Sequence, residues 1–420
     1  MRIVFYAVGT RGDVQPVVAL AGALTTRGHE VVVGVNEDLV GFARRAGVDA
    51  RPLGVDAHRF LRSPAGQQWL AGGDVRAYLR ELIAERHRII RDVQRDMGPL
   101  AGGADVVVGT RLIEEEASTL AEWQRVPFLG LHYAPVRPNS RFASVIVTPR
   151  RLPAPLNRLT HVIYQRRLWH SSRADLNAFR HSLGLPPAAA PADVRLAAAG
   201  VTDIQAYSRF LLPELAGWGA TRPLVGSPRL SATQRAALGD GDDDPGLTDW
   251  LAAGDPPVYF GFGSMPVQDP ARVLDLIRTA ARRMGVRALV GAGWSDMAAD
   301  TARDPDVRVV TAVDHDAVLP GCRAAVHHGG SGSTAASLRA GLPTVICSVF
   351  SDQPFWGRVV RRLGVGDTFR YTALSADRLV RATLPLLADG TAARAAALAE
   401  HLRTEDSTGE AATLIERAGR

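Results

Sequence analysis

Short, continuous apolar runs recur along the chain, and each is followed by a longer stretch compatible with a helix. In the first half the runs fall at 2–8, 30–35, 105–109 and 127–131, and the helical stretches at 17–27, 39–46, 78–97 and 115–124. The second half repeats the alternation. Strand-like runs lie at 257–262, 287–291, 307–310, 322–327 and 343–348, with a helix over 271–284, another beginning near Phe350, and further helices from Ser375 onward. Strands that alternate with helices predict parallel sheets covered by helices on both faces. Over 420 residues, two such halves predict an α/β chain of two Rossmann-like, doubly wound domains with a cleft between them.

The pattern lapses twice. Residues 132–173 read as neither a clean strand nor a clean helix, with Pro135, Pro138, Pro149, Pro153 and Pro155 set among Tyr133, Phe142, Tyr164 and Trp169. A long irregular segment of this kind reads as a binding loop or cap. Further on, several prolines lead into Gly239-Asp-Gly-Asp-Asp-Asp-Pro-Gly246, a soft polar tract. The expected organisation is a first domain over 1–212, a linker over 213–250, a second domain over 251–400 and a terminal helix over 401–420. Asp-x-Asp pairs can hold a divalent metal, but here no apolar strand precedes them, and a solvated loop is the better reading.

Composition narrows the function. Hydrophobic residues make up 46% of the chain, enough to bury substantial cores. No apolar run approaches the ~18 residues that span a bilayer, and the first strand begins at Arg2 with no leader-like pattern before it. Two cysteines, Cys322 and Cys347, cannot build a disulfide framework and read as reduced core residues of a cytoplasmic protein. The net charge is +6, yet all 49 basic residues are arginine. With no lysine, a Walker-type phosphate loop, a Schiff base and a lysine proton shuttle are excluded. The arginines are dispersed without aromatic interleaving, which argues against a nucleic-acid track.

The most informative stretch is Val326-His-His-Gly-Gly-Ser-Gly-Ser-Thr334. A buried strand, a glycine turn and a helix N-terminus present unpaired N–H groups and a positive dipole end to an anion such as a diphosphate. Gly329, Gly330 and Gly332 allow close backbone approach. Gly9-Thr-Arg-Gly-Asp13 leaves the first strand and does not match the dinucleotide fingerprint.

Gly9-Thr-Arg-Gly-Asp-Val-Gln-Pro16 resembles the N-terminal signature of bacterial natural-product glycosyltransferases of family 1. His327–Thr334, Ala340-Gly-Leu-Pro343 and Asp352-Gln-Pro354 resemble the donor signature of the same family, and Gly261-Phe-Gly-Ser-Met265 fits it too. The resemblance implies a GT-B fold, with acceptor in the first domain, nucleotide sugar in the second, and terminal helices crossing back to the first. It also implies inverting transfer with no metal or other cofactor. Asp13 resembles the family's base, although an Asp before a helix also serves as a cap. Gly12 falls on the donor side of the same turn. His327 resembles the phosphate-contacting histidine, while His328 reads as a packed strand-end residue. The amides of Gly330 to Thr334, Gly332 among them, and the hydroxyls of Ser331, Ser333 and Thr334 would meet the diphosphate, with Ser264 opposite. Asp352 and Gln353 either bind sugar hydroxyls or cap a helix. Plant relatives stack the base on a tryptophan that Thr311-Ala-Val-Asp-His-Asp316 lacks. Val313 and His315 remain for a pyrimidine edge, so UDP and TDP carriers stay open, and Trp294 reads equally as a nucleotide-side or loop residue.

For a hydrophobic small-molecule acceptor the candidates are Trp69, His132, Tyr133 and Phe142, each of which reads equally as core. Glu114, Glu115 and Glu116 read as solvated. No nucleic-acid partner or integral membrane segment is expected, and the assembly is a monomer or homodimer. Rival readings are a sterol or lipid glucosyltransferase, a non-catalytic nucleotide-sugar-binding partner, and a GT-B epimerase.

Overall fold

The computed structural model of the chain describes residues 1–62, 75–240, 244, 246–263, 269–293 and 304–420. Among the described residues, twelve strands form two six-stranded sheets. The first holds β1 (Arg2–Ala7), β2 (Glu30–Val35), β3 (Asp49–Pro52), β4 (Val106–Thr110), β5 (Phe128–His132) and β6 (Asp203–Gln205). The second holds β7 (Val258–Gly261), β8 (Ala288–Gly291), β9 (Val307–Val310), β10 (Ala324–His327), β11 (Thr344–Ser348) and β12 (Gly366–Arg370). Every strand pairing is parallel. The orders are β3-β2-β1-β4-β5-β6 and β12-β11-β10-β7-β8-β9. Counted from its own first strand, each sheet runs 3-2-1-4-5-6, the doubly wound order. The order therefore reverses between β1 and β4 in one sheet and between β7 and β10 in the other. In such sheets ligands bind beyond the carboxyl ends of the strands at that reversal.

Helices cover both faces of the sheets because the central strands are apolar on both sides. In β1, Ile3, Val4, Phe5, Tyr6 and Ala7 are all fully buried. One core gathers Ile3 and Phe5 with the helix Arg11–Thr26, and the opposite core gathers Val4 and Tyr6 with Ile90, Val93 and Met97. The chain divides into two compact units. One comprises Met1–Arg59, Val75–Leu238 and Asp406–Arg420, and the other contains Gly239–Glu405. Residues 213–238 thus pack with the first unit. The terminal helix Ser407–Ala418 also belongs to it, with Ala411, Ala412 and Ile415 in the same core as Val17 and Leu20. No described helix is long and apolar enough to cross a membrane.

Two local expectations change. The first helix starts at Arg11, and Pro16 lies inside it, where it withholds a hydrogen bond from the Gly12 carbonyl. The irregular stretch gives way at Ala154 to a helix of 29 residues, Ala154–Ser182. Pro155 sits in its first turn, where a missing N–H is harmless. The helix escaped detection because its early turns are inverted. Asn157, His161 and Gln165 are buried, whereas Leu156, Leu159 and Ile163 are each 47% exposed.

Candidate active site

The turn after β1 is built around one carboxylate. Gly9 holds φ +143, and a Cβ there would lie 2.3 Å from Asp13 Oδ2, so glycine makes room for the acid. Asn36, fully buried after β2, clamps the turn: it accepts from the Gly9 N–H at 3.1 Å and donates to the Gly9 carbonyl at 2.5 Å. The Thr10 N–H and hydroxyl both donate to Asp13 Oδ2, at 2.7 and 3.1 Å. Asp13 therefore does cap the helix Arg11–Thr26, but with one oxygen only. Oδ1 has no hydrogen-bond partner among the described residues. Burial raises the Asp13 pKa, and the two Thr10 contacts only partly offset it. A fixed carboxylate with one oxygen in use, one available and raised basicity is suited to accept a proton. Gly12 is exposed beside it.

Tyr133 takes an unforeseen part here. Its hydroxyl donates to the Asp13 backbone carbonyl at 2.7 Å, tying the residue after β5 to the acid's own main chain. The other acceptor candidates do not join it. Phe142 is buried at 7% exposure. His132 is fully buried in a charge cluster, and Trp69 lies outside the described residues.

That cluster corrects the reading of the three glutamates as solvated. Glu114, His132, Arg137 and Asp203 are all buried. The Arg137 Nη1 donates to Glu114 Oε2 at 3.1 Å, its Nη2 to Asp203 Oδ1 at 2.6 Å and to Glu114 Oε1, and its Nε to Asp203 Oδ2 at 2.8 Å. His132 Nε2 lies 3.4 Å from Glu114 and 3.3 Å from Asp203. Glu114, His132 and Asp203 sit close enough to ligate a metal. The guanidinium already bridges both carboxylates, however, and supplies the positive charge a cation would bring. Glu116, also buried, pairs with Arg86 at 2.6 Å, and Glu115 with Arg195 at 2.9 Å. A β4–helix turn with three acids in a row is thus an internal anchor.

In the second unit the turn after β10 enters the helix Ser331–Arg339, with Gly330 as N-cap. Gly329 takes φ +92, and a Cβ there would meet Ile346 at 2.4 Å. The Thr334 N–H and hydroxyl both return to the Gly330 carbonyl at 2.9 Å, and Thr334 is buried. Thr334 therefore leaves the set of ligand donors. The N–H groups of Ser331, Gly332 and Ser333 stay unpaired among the described residues, and the space where a Gly332 Cβ would project is open. These three amides, with two part-exposed hydroxyls, are the donors that this helix end presents.

The two histidines are held in different ways. His327 is 1% exposed; its Nδ1 accepts from the Gly329 N–H at 3.0 Å and its Nε2 meets Ser337 Oγ at 3.1 Å. Both ring nitrogens are therefore engaged within the turn, and Nε2 carries the proton. Burial, with His328 and His315 nearby, holds the ring neutral. His328 instead lies along the glycine turns: a Cβ on Gly330 would fall 2.6 Å from its Nε2, and one on Gly263 2.8 Å from its Cε1. Gly263 follows β7 and Gly330 follows β10, so this ring occupies the reversal point of the second sheet. Its Nδ1 is buried without a hydrogen-bond partner among the described residues. Burial first, then His315, lowers its pKa to about 4.

Around this turn the remaining candidates are held in different ways. Gln353 is buried, and its Oε1 accepts from the Val349 and Phe350 amides at 2.8 and 3.2 Å, pinning a loop in which Ser351 takes φ 56. Gln353 Nε2 has no partner among the described residues and stays available to a ligand. Asp352 Oδ2 accepts from the Trp356 indole at 2.9 Å. His315 Nε2 meets the Tyr259 hydroxyl at 3.0 Å, and Val313 is half-buried against the core beside it. Ser264 and Trp294 lie outside the described residues.

Twin parallel sheets of identical winding are the architecture of the GT-B fold. Residues 3–93 match the glycosyltransferase family 28 N-terminal domain, and residues 295–416 match the erythromycin biosynthesis protein CIII-like C-terminal domain. The chain is 37% identical to an uncharacterized glycosyltransferase of Mycobacterium tuberculosis, covering 100% of this chain and 99% of the relative. It is 31% identical to O-mycaminosyltylonolide 6-deoxyallosyltransferase of Streptomyces fradiae, covering 99% and 97%. The solved glycosyltransferase of Streptomyces sp. SF2575 complexed with thymidine diphosphate shares the fold, with TM-score 0.63, 18% identity and 99% of each chain covered. The protein belongs to the glycosyltransferases.

Proposed function

We propose that the protein transfers a sugar from a UDP- or TDP-sugar to a hydroxyl of a hydrophobic natural-product acceptor, inverting the anomeric carbon and using no metal. The Asp13 carboxylate carries this reading, since its Oδ2 is fixed by Thr10 and its Oδ1 is left to take the acceptor's proton. As the acceptor oxygen bonds to the anomeric carbon, the bond to the nucleoside diphosphate breaks and negative charge gathers on the leaving phosphate. In a chain without lysine, the Ser331, Gly332 and Ser333 amides and the helix dipole would meet that charge. A relative named for a deoxysugar transfer to O-mycaminosyltylonolide and a neighbour solved with thymidine diphosphate support the substrate class.

The test incubates purified protein with UDP- and TDP-sugars and a library of apolar alcohols, read by mass spectrometry. A glycosylated acceptor is expected. Free nucleotide without product in the presence of every alcohol would instead favour an epimerase. Asp13→Asn is expected to cut turnover by roughly 10²–10⁴ while leaving nucleotide affinity nearly unchanged. A fully active variant removes Asp13 from the mechanism.

A further inference from the structure

The helix Ala154–Ser182 is inside out over its first three turns. Asn157, His161 and Gln165 face inward, and two of them are spent on the preceding loop. Asn157 bonds the Ser140 and Leu152 carbonyls at 3.0 and 2.8 Å, and His161 bonds the Phe142 carbonyl at 3.1 Å. Leu156, Leu159 and Ile163, spaced three and four apart, share the opposite face and are each 47% exposed. Val147, in the loop before the helix, is 44% exposed. Isolated exposed leucines need no explanation, but an apolar stripe opposite a polar buried face does.

Charge around the stripe is one-sided. From Trp123 to Ala174 the sequence contains no Asp or Glu, yet it holds nine arginines: 125, 137, 141, 150, 151, 158, 166, 167 and 173. All but Arg137 are exposed. Arg166 and Arg167 continue the apolar face one turn beyond Ile163, and Arg150, Arg151 and Arg158 flank its start. An apolar ridge whose own segment carries exposed arginines and no acid matches the interface of a bilayer with anionic headgroups, where side chains enter the acyl boundary and guanidinium groups meet phosphate. A second copy of the same face is disfavoured, because a two-fold contact would set this basic rim against itself.

We propose that this face docks the protein on an anionic lipid surface. Docking of this kind holds the first unit at the water–lipid boundary, where a hydrophobic acceptor accumulates. The proposal does not depend on the assignment of the reaction, since attachment to vesicles is measured without substrate.

The experiment is co-sedimentation of the full chain with phosphatidylcholine vesicles and with vesicles that also contain phosphatidylglycerol, at low and high salt. Two triple variants, Leu156→Gln/Leu159→Gln/Ile163→Gln and Arg158→Gln/Arg166→Gln/Arg167→Gln, are compared after thermal melting shows each folded. The wild type is expected to prefer the anionic vesicles by about tenfold or more and to release at high salt. The leucine–isoleucine variant is expected to lose attachment, and the arginine variant to lose the preference for anionic lipid. Equal attachment to both vesicle types, or an apolar variant that binds as the wild type does, overturns the proposal. So does a dimer or a protein complex that the same apolar substitutions dissociate while vesicles leave it untouched.

Discussion

If the glycine turn takes a diphosphate as proposed, a neutral imidazole beside it gains affinity for a proton, and His328 is placed to show it. Its ring borders Gly330 and Gly263, and in the free protein burial, then His315, holds its pKa near 4. The other titratable groups around it are His327, locked on both nitrogens, and His315, paired with the Tyr259 hydroxyl. Phosphate charge next to the ring raises its pKa, so the complex holds more protons than the free protein across the window above 4. By linkage, UDP or TDP affinity then rises as pH falls from 8 toward 5. Titration calorimetry in buffers of different ionisation heat should detect proton uptake in the wild type. His328→Gln should abolish that uptake, separating it from protonation of the nucleotide itself. Uptake that survives the substitution assigns the proton elsewhere. The sequence could not choose between the adjacent histidines, because strand alternation tells that they point to opposite sides but not which side holds the Ser337 hydroxyl. Likewise nothing in the residue order announces that Asn36 and Tyr133 brace the Asp13 turn. Asn36 arrives after β2, which flanks β1, and Tyr133 after β5, which lies beyond β4, so only the 3-2-1-4-5-6 winding brings both to the turn.

Among elements, the β4 turn and the helix Glu114–Gln124 show how burial can invert a charge argument. Burial alone raises the pKa of both Glu114 and Asp203. Arg137 with His132 outweighs it at Glu114, held well below the usual carboxylate range, and His132 with Arg137 brings Asp203 to about 2. Depressed folded values mean that these acids stabilise the first unit above the unfolded pKa near 4, and that the contribution fades as pH falls toward 2. Arg137→Met leaves buried Asp203 facing only His132, and buried Glu114 facing His132 and the part-exposed Arg111, at an expected cost of about 3–5 kcal/mol near neutrality. Their pKa values should then move up, so the deficit against the wild type narrows as pH falls from 7 toward 4. Urea melts across that range test the sign, and a deficit that widens in acid refutes the pairing. Nine of the described strands were legible because short apolar runs mark them; the edge strands β3, β6 and β12 were not, since β3 and β12 each bury a single residue and β6 is three residues long. The helix Ala154–Ser182 was not, since its inward residues are polar and its outward ones apolar. The three glutamates read as surface for a different reason: the arginines that neutralise them in the interior are distant in sequence, Arg86 and Arg137 among them.

At the scale of the whole molecule, the first unit is closed by residues that follow the entire second unit. The chain leaves it at Leu238 and returns at Asp406, and the helix Ser407–Ala418 places Ile415, Ala411 and Ala412 at 0% exposure in the core of the helix Arg11–Thr26. Polar contacts fix its register. Arg27 donates to Thr413 Oγ1 at 3.2 Å, Glu416 at 3.0 Å and the Gly409 carbonyl at 3.2 Å, while His29 meets Glu416 at 2.8 Å. The second unit draws its own elements from Gly239 to Glu405 and takes none from this helix. A cavity at Ile415 should therefore act on one unit alone. Ile415→Ala removes a fully buried side chain, with an expected loss of about 2–5 kcal/mol. Scanning calorimetry with and without nucleotide separates the two units, because a ligand of the glycine turn raises only the transition of the unit that holds it. The variant should lower the nucleotide-insensitive transition and leave the nucleotide-sensitive one in place. If both fall together, the units unfold as one body and the terminal helix stabilises the whole chain; if neither moves, the helix is not part of the first unit's cooperative core.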